Sequence, residues 1–278
     1  MSQVFGYICS DHSLTSEVMK QYGDPLRAIE PDERVGLGIG LLQGGRSLLR
    51  KHPKRKAASV DIPALLGDIS SRSIVGHVRH EDVGATGTRD LQPFRFRNWV
   101  YAQQGDEKDF DGAYDALRDA VPDHVDRNIE GESMAELLFH IFYTKVESDL
   151  STTGRAEWPE MYAAKLAETM VELQQVASDN GASEGGVPLQ AVAVTDRCVV
   201  ASRIGDPMHY RLIEGIEEAT EEPLFAGHNP KSIMHDRFRA LLVANRIDDD
   251  EWTEIPNHHV MWVDDDWGIE FAEIDALN

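Results

Sequence analysis

Apolar positions follow two different periods along the chain, and the period changes twice. Up to residue 103 they come in short runs or alternate with polar residues, as strands require. The strands so predicted are Val4–Cys9, Val35–Leu42, Ser47–Lys51, Ser73–Arg79 and Asn98–Gln103, with a short helix over Ile62–Ile69. Between Phe110 and Ala177 the spacing becomes three and four, predicting helices over Phe110–Val121, Ser133–Val146 and Glu157–Ala177. The last of these carries Met161, Leu166, Met170, Leu173 and Val176 on one stripe. A Gly- and Ser-rich loop, Asn180–Pro188, returns the chain to strands. These are Leu189–Thr195 and Cys198–Arg203, a hairpin around Asp196-Arg197, then Phe238–Asn245 and a final pair within His258–Ile274 that turns at Asp264–Gly268.

Segregated runs of strands, helices and strands predict an α+β fold rather than alternating βαβ units. Two sheets between helix layers use all the pieces, and no internal repeat interrupts them. Within Val35–Leu42, Gly36, Gly38 and Gly40 alternate with Val35, Leu37, Ile39 and Leu41. All three glycines therefore share one strand face, where another layer approaches closely. The run lacks the third glycine and the following helix of a dinucleotide-binding loop. The turn Gln43-Gly44-Gly45 sends the chain back as a hairpin.

The chain has 278 residues, with 27 Lys+Arg against 49 Asp+Glu, a formal charge of −22. That balance excludes a protein whose whole surface grips nucleic acid or anionic lipid. No window reaches the ~18–20 apolar residues of a membrane span, and the first residues lack the pattern of a signal peptide. The expectation is a soluble, cytoplasmic protein with no nucleic-acid or membrane partner. Six Lys/Arg lie within Arg46–Lys56 without interleaved aromatics, which reads as a solvated strand edge. Cys9 and Cys198 form no metal-ligand spacing, and His77/His80 and His258-His259 have no visible third donor. The runs Asp248–Asp250 and Asp264–Asp266 sit at predicted turns and lack the stagger of a calcium loop. No metal or cofactor is expected.

Ser2 follows the initiator Met. A small second residue permits removal of Met1, exposing an α-amine that can serve as base for the adjacent hydroxyl. Four segments then resemble class II glutamine amidotransferases, the N-terminal-nucleophile hydrolases. The family opens Met-Cys-x-x-x-Gly-Tyr, where this chain has Met1-Ser2-Gln3-Val4-Phe5-Gly6-Tyr7. Its His-Val-Arg-His-Ala-Thr-x-Gly motif, leading to His-Pro-Phe, is similar to His77 to Gly84 leading to Gln92-Pro93-Phe94. A family strand ending Phe-x-His-Asn-Gly resembles Tyr101-Ala102-Gln103-Gln104-Gly105. A helix opening Gly-x-Thr-Asp-Ser-Glu-x-x-Phe resembles Gly131 to Phe139. The strand pair begun by Gln190–Asp196 and the tail Asp248–Pro256 are similar to those of compact, stand-alone members.

The resemblance implies a four-layer αββα sandwich of two antiparallel sheets, formed by one domain over 1–278. It also implies roles. Ser2 takes the nucleophile position, and Gln104 and Gly105 take the oxyanion-hole positions. Arg79 would clamp the substrate α-carboxylate, Met134 replaces the Asp that holds the α-ammonium, and Asp82 replaces a Thr beside Arg79. A hydroxyl is a weaker nucleophile than a thiol, and Gln104 is one methylene longer than Asn. A thioether cannot bind a desolvated ammonium, and Asp82 is placed to neutralise Arg79. These departures imply a glutamine amidotransferase-like protein with impaired or lost glutaminase activity and a structural or regulatory role. The alternative is an active amidohydrolase with Ser2 as nucleophile, on glutamine or another amide. A protein partner, such as an ammonia-accepting synthetase, is expected in the family.

Overall fold

In a computed structural model of the chain, residues 2–27, 34–56, 61–80, 89–105, 110, 113–179, 187–216 and 236–274 are described. Asp82 lies outside them, as does most of the loop 180–188. Seven strands form one antiparallel sheet: β1 (Gln3–Cys9), β2 (Arg34–Gln43), β3 (Arg46–Lys56), β4 (Ser73–His80), β9 (Met208–Glu214), β10 (Arg239–Asn245) and β11 (Thr253–Glu254). Their spatial order is β11-β9-β10-β1-β4-β2-β3. Six more form a second: β5 (Phe94–Phe96), β6 (Trp99–Gly105), β7 (Leu189–Val194), β8 (Val199–Ile204), β12 (His259–Val263) and β13 (Ile269–Glu273). Their order is β13-β12-β8-β7-β6-β5.

Strand alternation turns these sheets into layers. Successive side chains point to opposite faces, so each buried strand feeds two different cores. In β1, Phe5, Tyr7 and Cys9 join Val18 and Met19 of α1 (Thr15–Tyr22) and Ile62 and Leu66 of α2 (Ile62–Gly67). Val4 and Ile8 instead join Val192, Val194 and Val199 from the other sheet. In β6, Trp99 and Tyr101 face a third cluster, shared with α5 (Met134–Asp149) and α6 (Trp158–Asp179). Val100 and Ala102 face the inter-sheet cluster. Helix, sheet, sheet and helix are thus joined by three apolar interfaces, the four-layer αββα arrangement.

The glycine stripe on β2 forms part of the inner interface. A Cβ on Gly38 would lie 1.9 Å from the Gln92 carbonyl oxygen, and one on Gly40 would lie 2.4 Å from Val100 Cγ1. The basic run lies on β3, an edge strand, and extends the predicted Ser47–Lys51 strand to the whole of Arg46–Lys56. The helix expected over Phe110–Val121 is shorter, α3 spanning Tyr114–Asp119, and a separate short turn, α4 (Asp123–Asp126), follows it. Asp264 explains its acidic run locally: its Oδ1 accepts from the backbone N–H groups of Asp266 and Gly268 at 2.9 and 2.7 Å. Among the described residues, no helix is long and apolar enough to cross a membrane.

Helix α5 starts on Ser133, whose Oγ accepts the Glu136 N–H at 3.2 Å. Glu136 reaches back past this cap and accepts from the Glu130 and Gly131 N–H groups at 3.0 and 2.8 Å. One turn later His140 is buried, with Nδ1 2.8 Å from the Glu136 carbonyl oxygen. Burial holds its pKa below the ordinary 6.5. Because the folded pKa is the lower one, the unfolded chain binds the proton first, so stability is present above pH 6.5 and lost as pH falls below it. The denaturation midpoint of the protein is expected to drop between pH 7.5 and 5, and the drop should be shallower in His140→Gln. Burial also lowers the pKa of His209, so some slope will persist in that variant.

Candidate functional site

One end of the inter-sheet layer is polar. Ser2, one residue before β1, continues the parity of Val4, while Arg79 shares that of Val75 and Asn245 that of Val243, which sets all three toward the inner face of the seven-stranded sheet. Gln104 shares parity with Ala102, Gln190 with Val192, and Arg203 with Ala201, so these three leave the six-stranded sheet toward them. The register aligns each set. Gln3 pairs with Val78, which brings Ser2 beside Arg79. On the facing sheet, Gln104 pairs with Gln190 and Gln190 with Arg203.

Hydrogen bonds close the two rows into a ring. The Ser2 nitrogen donates to Gln104 Oε1 at 3.1 Å. Asn245 Nδ2 donates to the Ser2 carbonyl at 3.4 Å and to Gln190 Oε1 at 3.0 Å, while its Oδ1 accepts the Val4 N–H at 2.9 Å. Gln190 Nε2 donates to the Asp206 carbonyl at 2.7 Å. Each amide orientation follows from its neighbour's, because the Val4 N–H can only donate and so fixes Asn245. Residue 2 is therefore held on both sides, its nitrogen by one sheet and its carbonyl through a bridge to the same sheet. With Gln104 Oε1 committed to Ser2, its Nε2 remains as the donor.

Arg203 extends this polar end. It is 7% exposed. Nε donates to the Gly205 and Asp206 carbonyls at 3.3 and 3.0 Å, and Nη1 contacts the Ile255 carbonyl and Glu254, the latter at 2.6 Å. The Asp206 carbonyl thus receives both Arg203 and Gln190.

The remaining sequence-derived positions are placed as follows. Arg79 is half-buried on β4. Gly105 closes β6 opposite Leu189, where a Cβ would lie 2.6 Å from Leu189 Cδ1. Gln92 supports this strand, its Oε1 accepting the Gln103 N–H at 2.6 Å. Met134 opens α5, is 4% exposed, and belongs to the apolar cluster between the six-stranded sheet and the helices. Ser2, Arg79 and Gln104 thus share the inter-sheet layer, while Met134 belongs to the next layer out.

No motif gave Asn245, Gln190 or Arg203 a role, although Gln190 opens a strand pair similar to the family's. Their signal is weaker: each is a polar residue inside or closing an otherwise apolar strand run, such as Leu189–Val194 or Ala240–Ala244. A buried polar side chain in such a run requires a partner.

No protein-family model matches the chain, and no curated protein matches it significantly. Solved structures do match. A glutamine aminotransferase class-II domain protein from Silicibacter pomeroyi is 13% identical with a TM-score of 0.61, the match covering 98% of this chain and 99% of that one. A predicted glutamine amidotransferase from Pseudomonas aeruginosa is 14% identical with a TM-score of 0.52, over 95% and 97% of the two chains. The glutamine phosphoribosylpyrophosphate amidotransferase of B. subtilis is 16% identical with a TM-score of 0.54, and there the match covers 98% of this chain but 49% of that one. At such identities the likeness establishes architecture: the chain has the fold of class II glutamine amidotransferase domains, the N-terminal-nucleophile sandwich.

Proposed function

We propose that the chain, as one domain over 1–278, is a class II glutamine amidotransferase-like protein whose glutaminase activity is impaired or lost, and which serves a structural or regulatory role in the cytoplasm. The observation that supports this reading best is Met134. It stands where the family has an ammonium-binding Asp, and it is 4% exposed in an apolar cluster. An α-ammonium brought there would be desolvated without compensation. Ser2 and Gln104 replace the thiol and the Asn of the family pattern, and loss of one oxyanion donor alone costs about 10²–10³ in rate. Ammonia release from glutamine by the purified full chain is the test. Turnover at least about 10³-fold below the ~10 s⁻¹ of a median enzyme is expected. Ammonia release near that ordinary rate overturns the reading. A protein partner, an ammonia-accepting synthetase included, is part of the same proposal.

The contact between the Ser2 nitrogen and Gln104 favours a second reading, an amidohydrolase with Ser2 as nucleophile on an amide that lacks a free α-ammonium. Arg79, Gln104 and Gly105 would bind and polarise that amide, and Asp82 would tune Arg79. Intact mass decides this. Retention of Met1 blocks the α-amine base and ends the second reading. Loss of Met1, with a β-lactone adduct that disappears in Ser2→Ala, supports it.

A further inference from the structure

A second concave surface lies at the sheet edges, away from Ser2. It is bounded by Leu48, Leu49 and Lys51 of β3, by Phe94 and Arg95 of β5 with Arg89 before them, and by Asn128, Glu130 and Glu136 before and within α5. Its volume is about 360 Å³, which suits a small molecule. In the seven-stranded sheet, β3 is separated from β1 by β4 and β2. At about 4.8 Å per strand, Lys51 therefore lies roughly 14 Å or more across the sheet from Ser2.

Among the described basic side chains of the basic run, Lys51 is the one turned inward. Arg46, Arg50 and His52 are exposed, whereas Lys51 has the opposite parity and is half-buried. Its Nζ stands 5.0 Å above the centre of the Phe94 ring and 3.5 Å from the Arg89 carbonyl oxygen. Among the described residues, no carboxylate lies within ion-pair distance of it. Burial pushes its pKa down, while Glu136, Glu130 and Asp90 pull it back up from further away. A solvated edge gains nothing from an inward lysine, so this position needs another explanation.

Several other charged groups around the cleft already hold hydrogen bonds. Both Glu136 oxygens are occupied by backbone N–H groups, and Arg95 donates to the Ser47 carbonyl at 2.6 Å. Asp90 Oδ1 accepts the Glu132 N–H. Lys51, Arg89 and Glu130 also line the cleft, together with the apolar Phe94 and Leu49.

We propose that this cleft binds a small zwitterion of the α-amino-acid type, with its carboxylate between Lys51 and Arg89, its ammonium at Glu130 and its side chain against Phe94. A lone anion would meet Glu130, and a lone cation would meet Lys51 and Arg89. A ligand that carries both charges compensates the cationic and the anionic lining groups together. The inference extends the regulatory reading by giving the protein a ligand, and it stands whether or not the glutaminase activity survives.

Titration calorimetry on the full chain tests it, using phenylalanine, leucine, methionine and glutamine as probes. Phenylpropionate and phenethylamine serve as single-charge analogues of phenylalanine. Binding of at least one amino acid is expected, with the single-charge analogues about tenfold or more weaker. Lys51→Met and Glu130→Gln should each weaken binding by about tenfold or more, while Arg46→Met, exposed on the same strand and outside the cleft, leaves it unchanged. Glu130 is exposed, so Glu130→Gln keeps the test valid if Lys51→Met fails to fold. Absence of binding by all four amino acids at 10 mM, which is about 3 kcal/mol of affinity, overturns the proposal. So does binding abolished by Arg79→Ala but indifferent to Lys51 and Glu130, which would assign the ligand to the Ser2 end. Failure of the glutaminase reading shows instead as ammonia release, a separate measurement.

Discussion

Gly38→Val is expected to destabilise the protein by about 3 kcal/mol, at the upper end of overpacking costs. The site offers a new side chain no direction to move. A Cβ there would be 1.9 Å from the Gln92 carbonyl oxygen and 2.7 Å from Pro93 Cδ, so the obstacle is mainly backbone rather than a flexible side-chain tip. Gln92 cannot retreat freely, because its Oε1 holds the Gln103 N–H and so ties this segment to β6. Relief must come from separating the sheets, which opens the inter-sheet core around Val100 and Ala102. Gly67→Ala is the matched control. A Cβ there meets only Ser16 Oγ, at 3.7 Å, and the expected change is within ±0.5 kcal/mol. Urea denaturation of both variants with an unchanged m-value measures the two effects. A Gly38→Val midpoint equal to that of Gly67→Ala would show that the sheets are not packed at this glycine.

The prediction for Gly38 also shows what could be read from sequence. Three glycines alternating with Val, Leu and Ile announced a strand with one face stripped for close approach, and two of them meet the other sheet's layer as expected. The long helices were equally legible, because 16 and 22 residues of three-four spacing outweigh local exceptions. Strand β9 was not. Met208 to Glu214 carries His209, Tyr210 and Arg211 on a half-exposed run, and only Met208 and Ile213 are fully buried. Its strand character comes from pairing with β10 and β11, a long-range fact. Helix α1 failed for a different reason: eight residues bury only Thr15, Val18 and Met19, too short a stripe to show a period.

The site divides in the same way. Ser2, Arg79 and Gln104 came from linear motifs, and strand parity turns them into one inter-sheet layer. Asn245, Gln190 and Arg203 are separated from Ser2 by most of the chain, and their role depends on which strands become neighbours. No spacing encodes that. Met134 was legible as a departure from a pattern, but its placement among buried apolar side chains is a property of the packed helix layer.

Arg203→Met is expected to cost about 3 kcal/mol, close to the cost of breaking a buried ion pair from one side. Met fills much of the same volume, so the loss is polar. The Gly205, Asp206 and Ile255 carbonyls lose their guanidinium donor, and each charge-assisted bond contributes about 1.5–3 kcal/mol before neighbours readjust. Glu254 is 53% exposed and returns to solvent at little cost, which keeps the total below the sum of the contacts. The effect should spread toward Ser2, because the Asp206 carbonyl also receives Gln190, and Gln190 receives Asn245. A double-mutant cycle of Arg203→Met with Gln190→Leu is therefore expected to be non-additive by more than about 0.5 kcal/mol, since both variants strip the same oxygen. Additive behaviour would mean that the β8–β9 turn relaxes independently of the ring, and that residue 2 is held by Gln104 and Asn245 without support from the Arg203 end.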